Sequence, residues 1–142
     1  MSKEYKIGLL GFGSMGKTHL FSVTSLPFYY SDCDFRAKYA AVCTSNMQSA
    51  KKAADDYCIP FATDNEEEII NDPQIDVVDI CTPNIYHYES AKKAILSGKH
   101  VLCEKPLAIN SEQAFELDRL ATDAYKKNGQ VCGMVFNNRH LS

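Results

Sequence analysis

The apolar run Ile7-Gly8-Leu9-Leu10 leads directly into Gly11-Phe12-Gly13-Ser14-Met15-Gly16, and a helix-compatible segment follows. This order constrains the fold more than any other feature. In a strand–turn–helix unit, Gly11 permits the tight turn out of the strand and Gly13 lets a ligand approach bare backbone. Gly16 lets helix and strand pack closely. Backbone N–H groups and the positive end of the helix then face a negative charge, so the loop reads as a cradle for a phosphate.

The rest of the chain repeats the rhythm. Short apolar runs at Tyr5–Leu10, Lys38–Cys43, Pro60–Ala62, Asp76–Cys81, His100–Glu104 and Gln130–Phe136 alternate with segments of helical period. Most are continuous rather than alternating, as expected of strands covered on both faces. The spacing predicts helices over Met47–Tyr57 and Glu66–Asn71, one from Asn84 to a stop at Gly98, and one capped by Asn110 or Ser111 and ended by Gly129. Only Leu26–Asp34 breaks the pattern and reads as a long loop whose aromatics pack locally. The expected fold is α/β, a doubly wound parallel sheet in a single domain. A length of 142 residues suits one such domain.

Composition excludes several classes of partner. Fifteen basic and eighteen acidic residues give a net charge of -3, with no basic stripe, so nucleic acid is not expected. No apolar run approaches the ~20 residues of a membrane span. The amino terminus enters a strand with no signal-peptide hydrophobic region. Cys33, Cys43, Cys58, Cys81, Cys103 and Cys132 lack the paired short spacing of a zinc site, so no metal is expected. They read as reduced, mostly buried thiols of a cytoplasmic protein.

In an open parallel sheet, ligands bind at the carboxyl ends of the strands. Three clusters fall at such ends: the glycine loop, Cys81-Thr82-Pro83-Asn84-Ile85-Tyr86-His87, and Glu104-Lys105-Pro106. Physically, Thr82-Pro83-Asn84 is also a strand-to-helix turn with a capping Asn. Glu104 and Lys105 read equally well as a solvated pair before a strand-ending proline. His19, a turn beyond the loop, reads as structural.

The glycine loop running into Gly16-Lys17-Thr18-His19, then CTPNxxH, then EKP, resembles the Gfo/Idh/MocA oxidoreductases over essentially the whole chain. The resemblance implies a Rossmann domain over residues 1–136. It also implies that 137–142, with His140, begin the crossover to an absent C-terminal α/β substrate domain. It implies hydride transfer between NAD or NADP and a sugar, cyclitol or related polyol, with Lys105 as the catalytic proton carrier, oriented by Glu104. A cis Lys105–Pro106 bond is expected with it. Gly11, Phe12, Gly13, Ser14, Met15, Gly16, Thr44, Ser45, Cys81, Thr82, Pro83, Asn84, His87, Glu104 and Lys105 form the expected cofactor site. For His87 a merely packed ring is the alternative.

One departure bears on the cofactor. The second strand ends Val42-Cys43-Thr44-Ser45-Asn46 without the carboxylate that binds a ribose 2′-hydroxyl in NAD-specific domains. Thr44 and Ser45 offer donors, and Lys51 or Lys52 a charge, for a 2′-phosphate, which favours NADP. A non-catalytic NAD(P)-binding module, sensor or scaffold, is the alternative function. A methyltransferase would want an acidic residue ending that strand and gives EKP no role. The full-length parent is expected to be an enzyme and a possible homo-oligomer, with this chain inactive alone.

Overall fold

Among the described residues the alternation of apolar runs and amphipathic segments resolves into six strands and five helices. The computed structural model describes residues 3–136. The strands are Lys3–Leu10 (β1), Phe35–Cys43 (β2), Phe61–Thr63 (β3), Val77–Ile80 (β4), His100–Glu104 (β5) and Cys132–Val135 (β6). The helices are Ser14–Tyr29 (α1), Met47–Tyr57 (α2), Glu66–Ile70 (α3), Asn84–Leu96 (α4) and Ser111–Asn128 (α5). All strand pairs are parallel, in the order β3-β2-β1-β4-β5-β6. Chain direction across the sheet therefore reverses between β1 and β4, which opens a crevice at their carboxyl ends. The expected crossover segment 137–142 lies outside the described residues.

Strand periodicity sorts the core onto two faces. Ile7 and Leu9 of β1 pack with Leu20 of α1 and Ala53 and Ala54 of α2. Leu10 faces the other way, toward Ile69 and Ile70 of α3 and Ala91, Ala94 and Ile95 of α4. A register shift between Ile7 and Gly8 pairs them with Tyr39 and Ala41, leaving Ala40 as an extra residue in β2. Such a bulge reverses which face a side chain meets. Tyr39 thereby joins the α1 face while Ala41 joins the opposite one.

The helix signals hold in most places. Asn110 caps α5, accepting from the Gln113 amide at 2.9 Å, and Gly129 ends it in the left-handed conformation. Four expectations need correction. First, β2 begins at Phe35, not Lys38. Its early part, Phe35-Arg36-Ala37, is largely exposed and interrupted by Arg36, so it makes no continuous apolar run, yet it pairs in register with Lys3–Tyr5. Second, α1 continues through Pro27 to Tyr29, because a proline in the last turn forfeits only one intrahelical bond. Phe28, Tyr29 and Tyr30 are exposed and do not pack locally. Third, Pro83, not Asn84, is the N-cap of α4, and no side chain caps it. Fourth, the thiols are less sheltered than expected: Cys43 and Cys103 are buried, Cys81 and Cys132 half-buried, and Cys33 and Cys58 exposed, all free. Among the described residues no helix is long and apolar enough to cross a membrane.

Candidate functional site

β1 delivers Gly11 to the crevice with φ +90, a conformation suited to glycine. A Cβ there would lie 2.6 Å from the Cys81 carbonyl oxygen, and one on Gly16 would collide with the Gly11 carbonyl. The loop is thus clamped between the turn after β4 and its own helix. At Gly13 a Cβ would meet nothing within 4 Å, so that position opens onto free space. Gly13 is also the N-cap of α1, which has no side-chain cap and no acidic residue in its first turn. The first N–H groups of a 16-residue helix are left for an anion.

A cavity of about 650 Å³ stands over this loop. Gly11, Phe12, Gly13, Ser14, Met15 and Lys17 line one side, Thr44, Ser45, Ser49, Lys52, Asp56 and Tyr57 a second, and Cys81, Thr82 and Pro83 a third. Phe12 and Tyr57 meet edge to face at 5.2 Å between centroids and wall the outer end. At the end of β2 the Thr44 hydroxyl donates to the Asn46 carbonyl at 2.8 Å, while the Asn46 side chain caps α2. Lys52 is exposed and paired with Asp56 at 2.7 Å, which holds its ammonium pKa above the ordinary value. Thr82 Oγ1 is buried without a hydrogen-bond partner. A buried hydroxyl left unsatisfied in the wall of a cleft fits a polar ligand group.

Behind the cavity lies a buried polar cluster. His19 Nδ1 is 3.0 Å from Asp79 Oδ1, and His19 Nε2 is 3.0 Å from Glu104 Oε1. Tyr39 donates to Asp79 Oδ2 at 2.6 Å, and Cys81 Sγ lies 3.4 Å from His19 Nδ1. The hydrogen bond to Asp79, opposed by burial and helped by Glu104, raises the His19 pKa above 6.5. Burial and the Asp79 charge keep the Tyr39 hydroxyl and the Cys81 thiol protonated far above their usual ranges.

The sequence-predicted residues divide in two. Gly11, Phe12, Gly13, Ser14, Met15, Thr44, Ser45, Cys81, Thr82 and Pro83 line the cavity. Gly16, Asn84, His87, Glu104 and Lys105 do not. Gly16 packs beneath the loop. His87 is 1% exposed, its ring nitrogens 2.7 Å from the Pro106 carbonyl and 2.8 Å from the Thr82 carbonyl. Glu104 is buried and accepts from the Lys105 backbone amide at 3.1 Å. The contact Glu104 makes with the lysine is thus to its main chain and not to its ammonium, and the alternative of a solvated Glu104–Lys105 pair is corrected, because Glu104 is buried. Lys105 is exposed, and its bond to Pro106 is cis as expected.

Sequence reading missed Lys17, Ser49, Asp56, Tyr57, Tyr39 and Asp79. Ser49, Lys52 and Asp56 recur at the three- and four-residue spacing of one helix face, which was available as a signal. Asp79, a lone charge inside Val77-Val78-Asp79-Ile80, was another.

Comparison with known proteins agrees with this geometry. The model of an oxidoreductase family with an NAD-binding Rossmann fold matches residues 5–133. Levoglucosan dehydrogenase of Pseudarthrobacter phenanthrenivorans is 35% identical over 96% of this chain and 34% of its own length. Among solved structures, an NAD binding oxidoreductase from Klebsiella pneumoniae superposes with a TM-score of 0.88 at 38% identity, over 95% of this chain and 35% of that one. A levoglucosan dehydrogenase in complex with NADH and levoglucosan superposes with a TM-score of 0.87 at 34% identity, over 96% of this chain and 36% of that one. The chain spans about a third of the length of the curated relatives it matches.

Proposed function

The chain belongs to the Gfo/Idh/MocA oxidoreductase family, as its NAD-binding Rossmann domain, and from that premise we propose that it holds the nucleotide of a dehydrogenase acting on a sugar, cyclitol or related polyol. The observation that carries the proposal is the convergence of three strand ends on one cavity, with an uncapped helix N-terminus at its floor. When bound, NAD(P) supplies the hydride acceptor or donor. Gly11, Phe12, Gly13, Ser14 and Met15 would hold the pyrophosphate through backbone N–H groups. Thr44 and Ser45 would hold the adenosine ribose. Cys81, Thr82 and Pro83, with Asn84 opening α4 beside them, would line the nicotinamide side, and Thr82 Oγ1 has a hydrogen bond to give.

His87 and Glu104 act from behind this wall, His87 by tying the Thr82 turn to the Pro106 turn. Lys105 is the residue we assign to the chemistry. A lysine on a turn braced by Glu104 and Pro106 can, as the neutral amine, accept the proton of a substrate hydroxyl and, as the ammonium so formed, return it in the reverse direction, a role worth about 10²–10⁴ in rate. The substrate identity of the levoglucosan-binding relative supports the polyol class. Substrate-reading residues, and any self-association, belong on this reading to the remaining two-thirds of such a protein. The proposed setting is the reducing cytoplasm, supported by six cysteines that are all free thiols.

NADP is the proposed preference. β2 ends in hydroxyls rather than a carboxylate, and Lys17 and Lys52 stand on the same cavity. Fluorescence titration with NADH and NADPH tests both levels of the reading. Saturable binding of both, tighter for NADPH, is expected. Tighter binding of NADH overturns the preference, and binding of neither overturns the site.

A further inference from the structure

The strongest unexplained feature is that both nitrogens of one buried ring face carboxylates. A carboxylate only accepts, and a neutral imidazole carries a single N–H. Only the imidazolium can donate to Asp79 and to Glu104 together. These two acids come from different strands, β4 and β5, and His19 comes from the helix that the glycine loop opens. Glu104 in turn spends its second oxygen on the Lys105 amide.

We propose that His19 is a positioning residue: as an imidazolium it fixes the Glu104 carboxylate, and through it the Lys105 main chain, so that the lysine turn is registered against the helix that carries the phosphate cradle. The role assigned to that registration rests on the proposed function, whereas the linkage itself does not. His19 never touches the cavity, where it is absent from the lining. Its influence on the lysine runs through two hydrogen bonds of 3.0 and 3.1 Å.

The titratable groups facing the ring are Asp79 on β4, Cys81 just beyond it, Glu104 on β5 and, through Asp79, Tyr39 on β2. Cys103 on β5 lies near enough to act on Cys81. Tyr39 and Cys81 keep their protons, so neither adds a further negative charge beside the ring. The two facing carboxylates support the imidazolium persisting to higher pH than in an ordinary histidine.

The test is a pH titration of the chain by NMR, following the His19 ring and the Lys105 backbone amide together. One shared midpoint, above the ordinary 6.5, is expected, because deprotonating His19 redistributes charge on the carboxylate that holds the amide. In Glu104→Gln the His19 midpoint should fall and the Lys105 amide should stop responding. A Lys105 amide that stays still while His19 titrates overturns the proposal, as does a His19 midpoint at or below the ordinary value. His19, Asp79 and Cys81 also lie within reach of one ion. A spectrum that shifts with added zinc and reverts with chelator would reassign the trio and overturn the proposal as well. None of these readouts needs turnover, so the linkage can fail while nucleotide binding succeeds, and the reverse.

Discussion

Tyr39 donates its hydroxyl proton to Asp79 across 2.6 Å, from β2 to β4, over the top of the intervening β1. Both residues are buried, at 7% and 1% exposure. The bond exists because Tyr39, paired with Ile7, and Asp79, paired with Leu9, both face α1. Removing the hydroxyl in Tyr39→Phe leaves a buried carboxylate one donor short. Bonds to charged groups contribute about 1.5–3 kcal/mol. Urea denaturation should therefore show a loss of that size with an unchanged slope. A loss under ~0.5 kcal/mol would mean that the carboxylate finds another donor.

The same cluster sets a pH dependence of stability. The folded-state pKa of His19 is raised, chiefly by its hydrogen bond to Asp79. The imidazolium is thus bound more tightly in the folded than in the unfolded chain. Its stabilisation is complete below the unfolded value of about 6.5 and is lost as pH rises through the elevated folded value. Denaturation midpoints of the wild type should decline over that window, and those of His19→Gln should be flatter there. Equal slopes in the two proteins would refute the assignment.

Thiol reactivity offers an independent check on burial. Burial pushes Cys43 up to about 11 and Cys103 up to about 12. At pH 8 the thiolate fraction of either is then on the order of one in a thousand or less. Cys33 and Cys58 are exposed. Reaction with a chromogenic disulfide should release about two equivalents rapidly, with Cys43 and Cys103 reacting only on addition of urea. Fast release of all six would show the sheet opening readily.

Much of this arrangement was legible in the residues. Apolar runs in β1, β4 and β5 exist because helices cover both faces there, and buried strands must be apolar. The glycine loop, Thr82 turn and Glu104-Lys105-Pro106 turn were recognisable because backbone geometry demands specific residue types at each. What escaped was tertiary. The extra residue at Ala40 has no local signature, so the aim of Tyr39, and hence its bond to Asp79, could not be read. Glu104 was expected either to orient the lysine or to form a solvated pair with it, and the carboxylate does not stay in solvent. It turns inward instead because His19, distant in the chain, offers a buried positive partner. The α2 wall was passed over because Ser49, Lys52 and Asp56 look like an ordinary solvated stripe until the cavity is seen beside them.

Gly11 and Gly13 allow folding and binding to be separated. At Gly11 an alanine meets both a left-handed backbone at φ +90 and the Cys81 carbonyl at 2.6 Å. Neither neighbour is a flexible side chain, so the turn must shift. Strain of this kind costs on the order of 1–3 kcal/mol, and the Gly11→Ala melting temperature should fall by several degrees. At Gly13 the backbone is extended, with φ -77 and ψ -159, which alanine adopts without strain. Its methyl would enter open space on the side where a phosphate should approach bare backbone. Gly13→Ala should thus melt within about a degree or two of the wild type while binding NADPH at least tenfold more weakly, roughly 1.4 kcal/mol. Calorimetry and fluorescence titration on the two variants decide the matter. If Gly13→Ala binds as well as the wild type, the pyrophosphate does not lie over that position, and the proposed site loses its floor.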